Sequence, residues 1–426
     1  MANFFLISEG GDGLGLAVRL KAEGHKISIL IKDPDLDKRG EGLVEKDVLP
    51  GFGSTIIADC TGSGGILDAF RANENPTFGG SQIADRLESD RSFSSQVFKE
   101  CGIQEPHSKA FNSWEEAESF IDSVGDTRLV FKPEGKLSGN LPSYVSYDGT
   151  DLKNMLLHFR SLFGQGIPSF VLQEFIPGTC ISSEAWFCKD HFLLPTNHTL
   201  ERKQLLPGDI GPSGGCTGNI IWRCDEIRCP LCANLERLKD FLTKEAYVGC
   251  IDINSVVSKE GEIYALEFTP RFGYDAFPTL LYGLFDGDFG NFIDDCARGR
   301  ELWRMPLRPG FAAGVRISTP PWPSEAFKSK EGLPLFGLRK NSFEGFYPYE
   351  VSRQGDEFKT SGGVGIIGVA VGWADSIEGA FEIAYKTCER LRLPDKQYRN
   401  DLADTFKSDV RKLKLAFSKS VRLAYT

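Results

Sequence analysis

The chain of 426 residues has room for two or three domains. Its 41% hydrophobic and 25% charged residues are the balance of a folded chain, and a net charge of −10 argues against broad electrostatic binding of nucleic acid. No apolar run approaches the ~20 residues that cross a bilayer. Eleven cysteines behind an N-terminus that does not read as a secretion signal point to a reducing, cytoplasmic setting.

Residues 3–31 read strand, glycine-rich turn, helix, strand (NFFLIS, EGGDGLG, LAVRLKAEG, HKISILI), the opening of a doubly wound parallel sheet. The glycines at 10, 11, 13 and 15 do not have the G-x-G-x-x-G spacing, so a dinucleotide site is not supported. A second apolar strand, STIIADCT, runs into TGSGG and a helix over 66–72. One further helix is expected to present Ile83, Leu87, Phe93, Val97 and Phe98 as its inward face. It opens the next domain, which gives expected boundaries of 1–82, 83–305 and 306–426.

The middle of the chain alternates as α+β. Ser113 and Glu116 form a capping-box pattern at the head of a helix. TRLVFKPEGKLSGN delivers Lys132 from a strand into a glycine-containing turn, a place where phosphates are often held. A surface lysine at a strand end is the plain alternative. SFVLQEFIPG reads as a strand carrying Gln173 and Glu174, and ERKQLLPGDIGPSGGCTGN as a long loop over a site. In GCIDINSVVSKEGEIYALEFTPRFG, alternation predicts two strands around a Lys259–Glu262 reversal. Asp252, Asn254 and Glu267 then offer oxygens suited to Mg²⁺, with Arg271 placed for an anion beside it. Ordinary solvated charges on a sheet edge would produce the same pattern. The last domain begins with the strand FAAGVRIS and closes with helices at 376–391, capped by Ser376, and at 402–417.

Cys216, Cys224, Cys229 and Cys232 fall within 17 residues and could hold zinc. The first two spacings do not match a ribbon, which favours buried free thiols. Five scattered histidines support neither a histidine-based metal site nor a Ser/His/Asp triad.

Together these landmarks resemble the ATP-grasp enzymes, and among them the phosphoribosylamine–glycine ligases (glycinamide ribonucleotide synthetases). The resemblance implies an α/β and α+β ATP-grasp fold, with an N-terminal doubly wound domain and a C-terminal mixed α/β domain. LESDRSFSSQVFKECGIQEP resembles the helix opening the grasp domain, with Arg91 in place of the usual phosphate-contacting Lys. LVFKPEGKLSGN resembles the strand and loop whose Lys, here Lys132, reaches the ATP phosphates. Gln173, Glu174, Phe175 and Ile176 match the hinge that holds adenine and ribose. The GD-x-GP-x-x-GG stretch brings Lys203, Asp209 and Pro212, while YALEFTPRFG brings Glu267 as metal ligand and Arg271 beyond it. SGGVGIIGVAVGWADSIEGAFEIAYKTCERL is similar to the C-terminal domain of that ligase.

Against the family pattern, the ATP elements mostly persist and the acceptor elements have drifted. EGGDGLG, with Gly10 and Gly11, lacks the Arg-Glu-His that follows the paired glycines in the family. Its phosphate-binding loop keeps Lys136 as the one candidate for a second Lys, and Cys180 stands where a ribose-contacting Glu is usual. Thr269 replaces a metal-binding Asn, for which Asn254 and Asp252 could compensate, and FGYDA, with Asp275, departs from the amino-acid pocket pattern. The implied chemistry is amide formation through an acyl phosphate, using ATP, Mg²⁺ (or Mn²⁺), glycine or another small amino acid, and phosphoribosylamine or a different amine. Lys132, Lys203 and Arg271 are the implied catalytic cations. A paralogue with another acceptor and a catalytically weak ATP-binding protein are the alternatives.

Overall fold

The computed structural model describes residues 1–134, 143–163, 169–226, 229–324, 328–338 and 343–420. Lys136 lies outside them. Among the described residues, no helix is long and apolar enough to cross a membrane.

The chain opens with β1 (Asn3–Ser8), α1 (Leu14–Ala22), β2 (Lys26–Ile31), β3 (Glu45–Lys46), β4 (Thr55–Ala58), α2 (Gly64–Ala72) and β5 (Thr77–Phe78). The five strands form one parallel sheet in the order β3-β2-β1-β4-β5, as the βαβ pattern predicts. Parallel strands are covered on both faces, and β1 is accordingly buried along nearly its whole length. Two helices follow, α3 (Gln82–Ser89) and α4 (Arg91–Glu100), where the apolar periodicity suggests one. Asp90 breaks the run: its backbone is extended and its carboxylate accepts from the Phe93 N–H at 2.9 Å, capping α4. Leu87, Val97 and Phe98 are buried as expected, and Phe98 stacks on Phe268 at 4.1 Å between ring centroids. Ile83 and Phe93 are half-buried.

Next come β6 (Ser108–Phe111), α5 (Trp114–Val124), β7 (Leu129–Pro133), β8 (Tyr144–Val145), α6 (Gly149–Phe163) and β9 (Phe170–Glu174). They make a small antiparallel sheet, ordered β6-β9-β7-β8, whose core includes Phe111, Trp114, Phe131 and Phe170. Ser113 caps α5 by accepting from the Glu116 N–H.

The remaining elements are β10 (Gly178–Cys188), β11 (His191–Leu206), β12 (Ile210–Cys224), α7 (Ala233–Arg237), α8 (Lys239–Lys244), β13 (Gly249–Ser258), β14 (Ile263–Thr269), α9 (Ala276–Thr279), α10 (Phe289–Ala297), β15 (Phe311–Ser318), β16 (Pro334–Leu335), β17 (Phe346–Pro348), β18 (Val351–Gln354), β19 (Glu357–Thr360), β20 (Ile366–Ala374), α11 (Ile377–Arg390) and α12 (Leu402–Ser420). An eight-stranded antiparallel sheet dominates, ordered β14-β13-β10-β11-β12-β15-β20-β17. The stretch 201–219 is part of it rather than the long loop expected. Gly208 (φ 77°) and Asp209 (φ 56°) turn the chain in the left-handed region, so β11 and β12 continue as a hairpin. The expected boundary near 305 falls between β14 and β15, yet β15 hydrogen-bonds to β12 from Gly218↔Val315 to Trp222↔Phe311. One sheet therefore spans that point, and one apolar core includes Leu6, Leu281, Ile317 and Phe381.

Candidate active site

The β13–β14 hairpin forms as the alternation predicts, and its pairing decides which side chains share a face. Asp252 lies opposite Thr269 and Asn254 opposite Glu267, so all four project from one side of the sheet. Their surroundings differ. Glu267 is exposed and carries no hydrogen bond or ion pair among the described residues. The Asn254 amide donates to the Thr269 hydroxyl at 2.8 Å. Asp252 is buried; one carboxylate oxygen accepts from Ser182 Oγ at 2.7 Å while the other has no partner. Burial pushes its pKa up to about 7, and the neighbouring Glu201 adds to the rise. Asp252 is thus a recessed carboxylate inclined to hold a proton, unlike the open metal ligand that the sequence suggests. Across the next strand pair, Glu184 is also buried and pushed up to about 8, first by burial and then by Asp252.

Facing this hairpin is β7 of the small sheet. Its alternate burial turns Leu129, Phe131 and Pro133 inward and leaves Lys132 on the other side. Lys132, Arg91, Gln173, Glu88 and Glu267 line one cavity of about 320 Å³, which joins α3–α4, the small sheet and β14. Burial lowers the Lys132 pKa to about 8; Arg91 and Lys203 lower it further and Glu267 opposes them. This cavity holds a concentration of positive charge that an anion would relieve. At its edge runs the chain from β9 to β10. The Glu174 N–H donates to the His107 carbonyl at 2.8 Å, and the Phe175 N–H to the Arg128 carbonyl at 3.0 Å. The Arg128 guanidinium covers the Phe175 ring at 4.0 Å, and Ile176 follows half-buried. Cys180, the third residue of β10, is exposed nearby.

Several expected contacts are already taken up within the protein. Arg271 makes a two-pronged ion pair with Glu88, Nη2–Oε1 2.8 Å and Nε–Oε1 3.0 Å, and lies over Tyr274 at 4.3 Å. It is a tethered guanidinium instead of a free cation next to Glu267. Asp275 is fully buried and gives both carboxylate oxygens to Arg316, at 2.8 and 2.7 Å. That leaves it no face for substrate. Asp209 sits at the hairpin turn, bound by Arg399 at 2.6 Å and Arg202 at 3.2 Å, with Pro212 exposed close behind. In the N-terminal turn, the Gly11 N–H donates to Ser8 Oγ at 2.8 Å and the Gly10 carbonyl accepts from Arg39. Gly11 has φ 89°, a conformation that favours glycine. Its N–H is spent on the Ser8–Asp59 network, in which Asp59 also accepts from the Gly13 N–H at 2.6 Å. Burial pushes Asp59 up to about 7.

A second cavity, of about 400 Å³, opens beside that turn among Asp12, Arg39, Gly214, Tyr274, Arg316 and Trp322. Arg39 pairs with the buried Glu350 at 2.7 Å, and Arg316 with Asp275. Glu88, Arg39, Arg316 and Glu350 are the residues that sequence reasoning missed. Each is separated from its partner by 41 to 311 positions, so no local spacing could flag it. A buried charge within an apolar strand, as in FAAGVRIS, is the one available signal.

Known proteins share stretches of this sequence and its fold. The family model described as phosphoribosylglycinamide synthetase, ATP-grasp (A) domain, matches residues 89–276. The phosphoribosylamine–glycine ligase of Lactococcus lactis is 26% identical over 322 residues, covering 70% of this chain and 75% of its own. That of Ralstonia nicotianae is 24% identical over 430 residues, covering 93% and 97%. Among solved structures, the Thermotoga maritima phosphoribosylamine–glycine ligase superposes with a TM-score of 0.72 at 19% identity, over 94% of this chain and 100% of that one. A Campylobacter jejuni biotin carboxylase, solved as a β,γ-ATP complex, gives 0.65 at 14% identity, over 98% and 95%. The chain has the ATP-grasp fold, and its sequence is similar to those of phosphoribosylamine–glycine ligases.

Proposed function

We propose that the protein is an ATP-dependent carboxylate–amine ligase that forms an amide through an acyl phosphate. What carries the reading is the meeting of two sheets at one cavity, where Lys132 and Arg91 face Glu267 and Lys203 adds to their field. Cations from separate elements around an exposed carboxylate suit a nucleoside triphosphate with its divalent ion. The 173–176 segment at the cavity edge is the proposed seat of the adenosine.

The donor set fits Mg²⁺ (or Mn²⁺) in a limited way. Glu267 is the open carboxylate, and the Thr269 hydroxyl and Asn254 amide share its face. One or two carboxylates completed by phosphate oxygens are a normal Mg²⁺ environment. Bound there, the ion would neutralise charge on the β- and γ-phosphates. Lys132 orients and neutralises the transferred phosphoryl group, while the small sheet excludes water over it. Lys203 and Arg271, the latter fixed by Glu88, extend the positive field toward the acceptor side. No side-chain nucleophile is required: the amino-acid carboxylate takes the γ-phosphoryl group, and the amine then displaces phosphate.

For the acid we propose glycine or another small amino acid. For the amine, phosphoribosylamine is one reading and a different acceptor is the second. The second is favoured by the acceptor cavity, where Arg39 and Arg316 each already hold a carboxylate. Such paired cations offer less to an incoming phosphate than free ones would. The test is amino-acid-dependent ADP release with Mg²⁺, measured with and without phosphoribosylamine. ADP formed with glycine and phosphoribosylamine supports the first acceptor, and ADP formed with another amine supports the second. ATP binding without turnover under any amine would sink the ligase reading.

A further inference from the structure

The spacing of Cys216, Cys224, Cys229 and Cys232 argues against a zinc ribbon, but the folded chain changes the membership of the group. Cys216 is buried in a separate place, where its sulfur lies 3.6 Å from the Gly218 carbonyl and 3.8 Å from the Asn219 amide nitrogen. The fourth member is His198 from β11. One ligand atom each from His198, Cys224, Cys229 and Cys232 lies within 4.8 Å of the other three. His198 Nε2 is 3.6 Å from Cys229 Sγ and 3.7 Å from Cys232 Sγ. A tetrahedron with Zn–S bonds of about 2.3 Å and a Zn–N bond of about 2.05 Å has N···S edges of ~3.6 Å. We propose that His198, Cys224, Cys229 and Cys232 form a structural zinc site.

Three further features fit a metal. The other ring nitrogen, Nδ1, meets Ser183 Oγ at 3.0 Å, and a proton on Nδ1 leaves the Nε2 lone pair aimed at the three sulfurs. The Cys232 N–H points at Cys229 Sγ at 3.3 Å, the type of backbone contact that steadies a thiolate. Thr196 Oγ1 stands 3.2 Å from Cys232 Sγ. His198 and Cys232 are buried and the other two half-buried. Four protein ligands close the shell, which marks a structural rather than a catalytic ion. Strand alternation places the site away from ATP. Ser183 pairs with His198 and with Ile253, whereas Ser182 pairs with Asn254, so the two sites use opposite faces of the large sheet. The zinc would fasten the end of β12 and the turn entering α7 onto β11.

The full chain, produced without metal-affinity steps, should contain about one zinc per molecule by elemental analysis. A thiol-mercurating reagent should release that zinc. Replacement by Co²⁺ should give the intense visible bands of a tetrahedral thiolate site. Cys229→Ser with Cys232→Ser should lose the metal, and Cys216→Ser should keep it. Cobalt reconstitution of the unmutated chain needs no variant to fold. Reduced, folded protein that takes up neither zinc nor cobalt overturns the proposal, as does an iron content in place of zinc or loss of zinc from Cys216→Ser.

Discussion

Lys132 gives the sharpest link between the geometry and a measurement. Its pKa is lowered to about 8 from an ordinary 10.5 because the cavity desolvates it and gathers Arg91 and Lys203 around it. The charged form is held below that value and lost above it. A bound triphosphate reverses the balance by adding negative charge, which raises the pKa and draws in a proton. With the bound-state value well above 9, linkage makes ATP affinity track the charged fraction in the empty site. That fraction is about nine-tenths at pH 7 and about one-tenth at pH 9, so affinity should fall about tenfold, or ~1.4 kcal/mol. Titration calorimetry at pH 8 in buffers of different ionisation enthalpy should show uptake of about half a proton per ATP. Lys132→Met should abolish this uptake, flatten the pH dependence and reduce kcat/KM by about 10²–10³. Lys132→Met retaining the full proton uptake would refute the assignment, since another group would then be titrating. Stability follows the opposite course. A lysine with a depressed folded-state pKa destabilises the empty protein below about 8, and the penalty is relieved as pH rises toward 10.5.

Other residues supply further tests. Glu267→Gln should abolish turnover without loss of fold, because the exposed carboxylate makes no hydrogen bond or ion pair among the described residues; retained ADP release would show that the metal lies elsewhere. Asp275→Asn strips the partner from the buried Arg316 guanidinium, which burial disfavours and Asp275 keeps firmly protonated. The expected cost is about 3–5 kcal/mol in denaturant unfolding, partly recovered by adding Arg316→Met; an unchanged midpoint would contradict the pairing. Asp59, raised to about 7, disfavours its own ionisation, so its contribution is present at acid pH and lost as pH climbs through 7. Asp59→Asn should therefore gain thermal stability relative to the unmutated chain between pH 6 and 8, and parallel curves would exclude that carboxyl as the titrating group.

Much of the frame was legible because it is written in short-range periodicity. The βαβ opening, the caps at Ser113 and Ser376 and the reversal at Lys259–Glu262 each follow from residues within a few positions of one another. The face shared by Asp252, Asn254, Glu267 and Thr269 does not: it needs the register shift between Asn254 and Ser255, without which Asn254 would lie opposite Leu266 and Glu267 would turn to the other side. Depth was not legible. Nothing local distinguishes the buried Asp252 from the exposed Glu267, since the neighbouring strands and helices set their exposure. The hairpin at 201–219 read as a loop because its glycines and prolines lower strand propensity, and the pairing of β11 with β12 overrides that preference. His198 was not legible as a ligand because HFLLPTNHTL holds no cysteine, and Cys224, Cys229 and Cys232 arrive from 26 to 34 positions away.

The uninterrupted run from β14 to β17 bears on how this chain could diversify. Strands from both sides of residue 305 share one hydrogen-bonded ladder, so the nucleotide half cannot be lifted out as a cassette without leaving an open edge at β12. Exchange of whole modules between relatives would carry that cost. Change by substitution at the rim of the second cavity would not. A continuous ladder of this kind confines tolerated change to side chains rather than to whole modules.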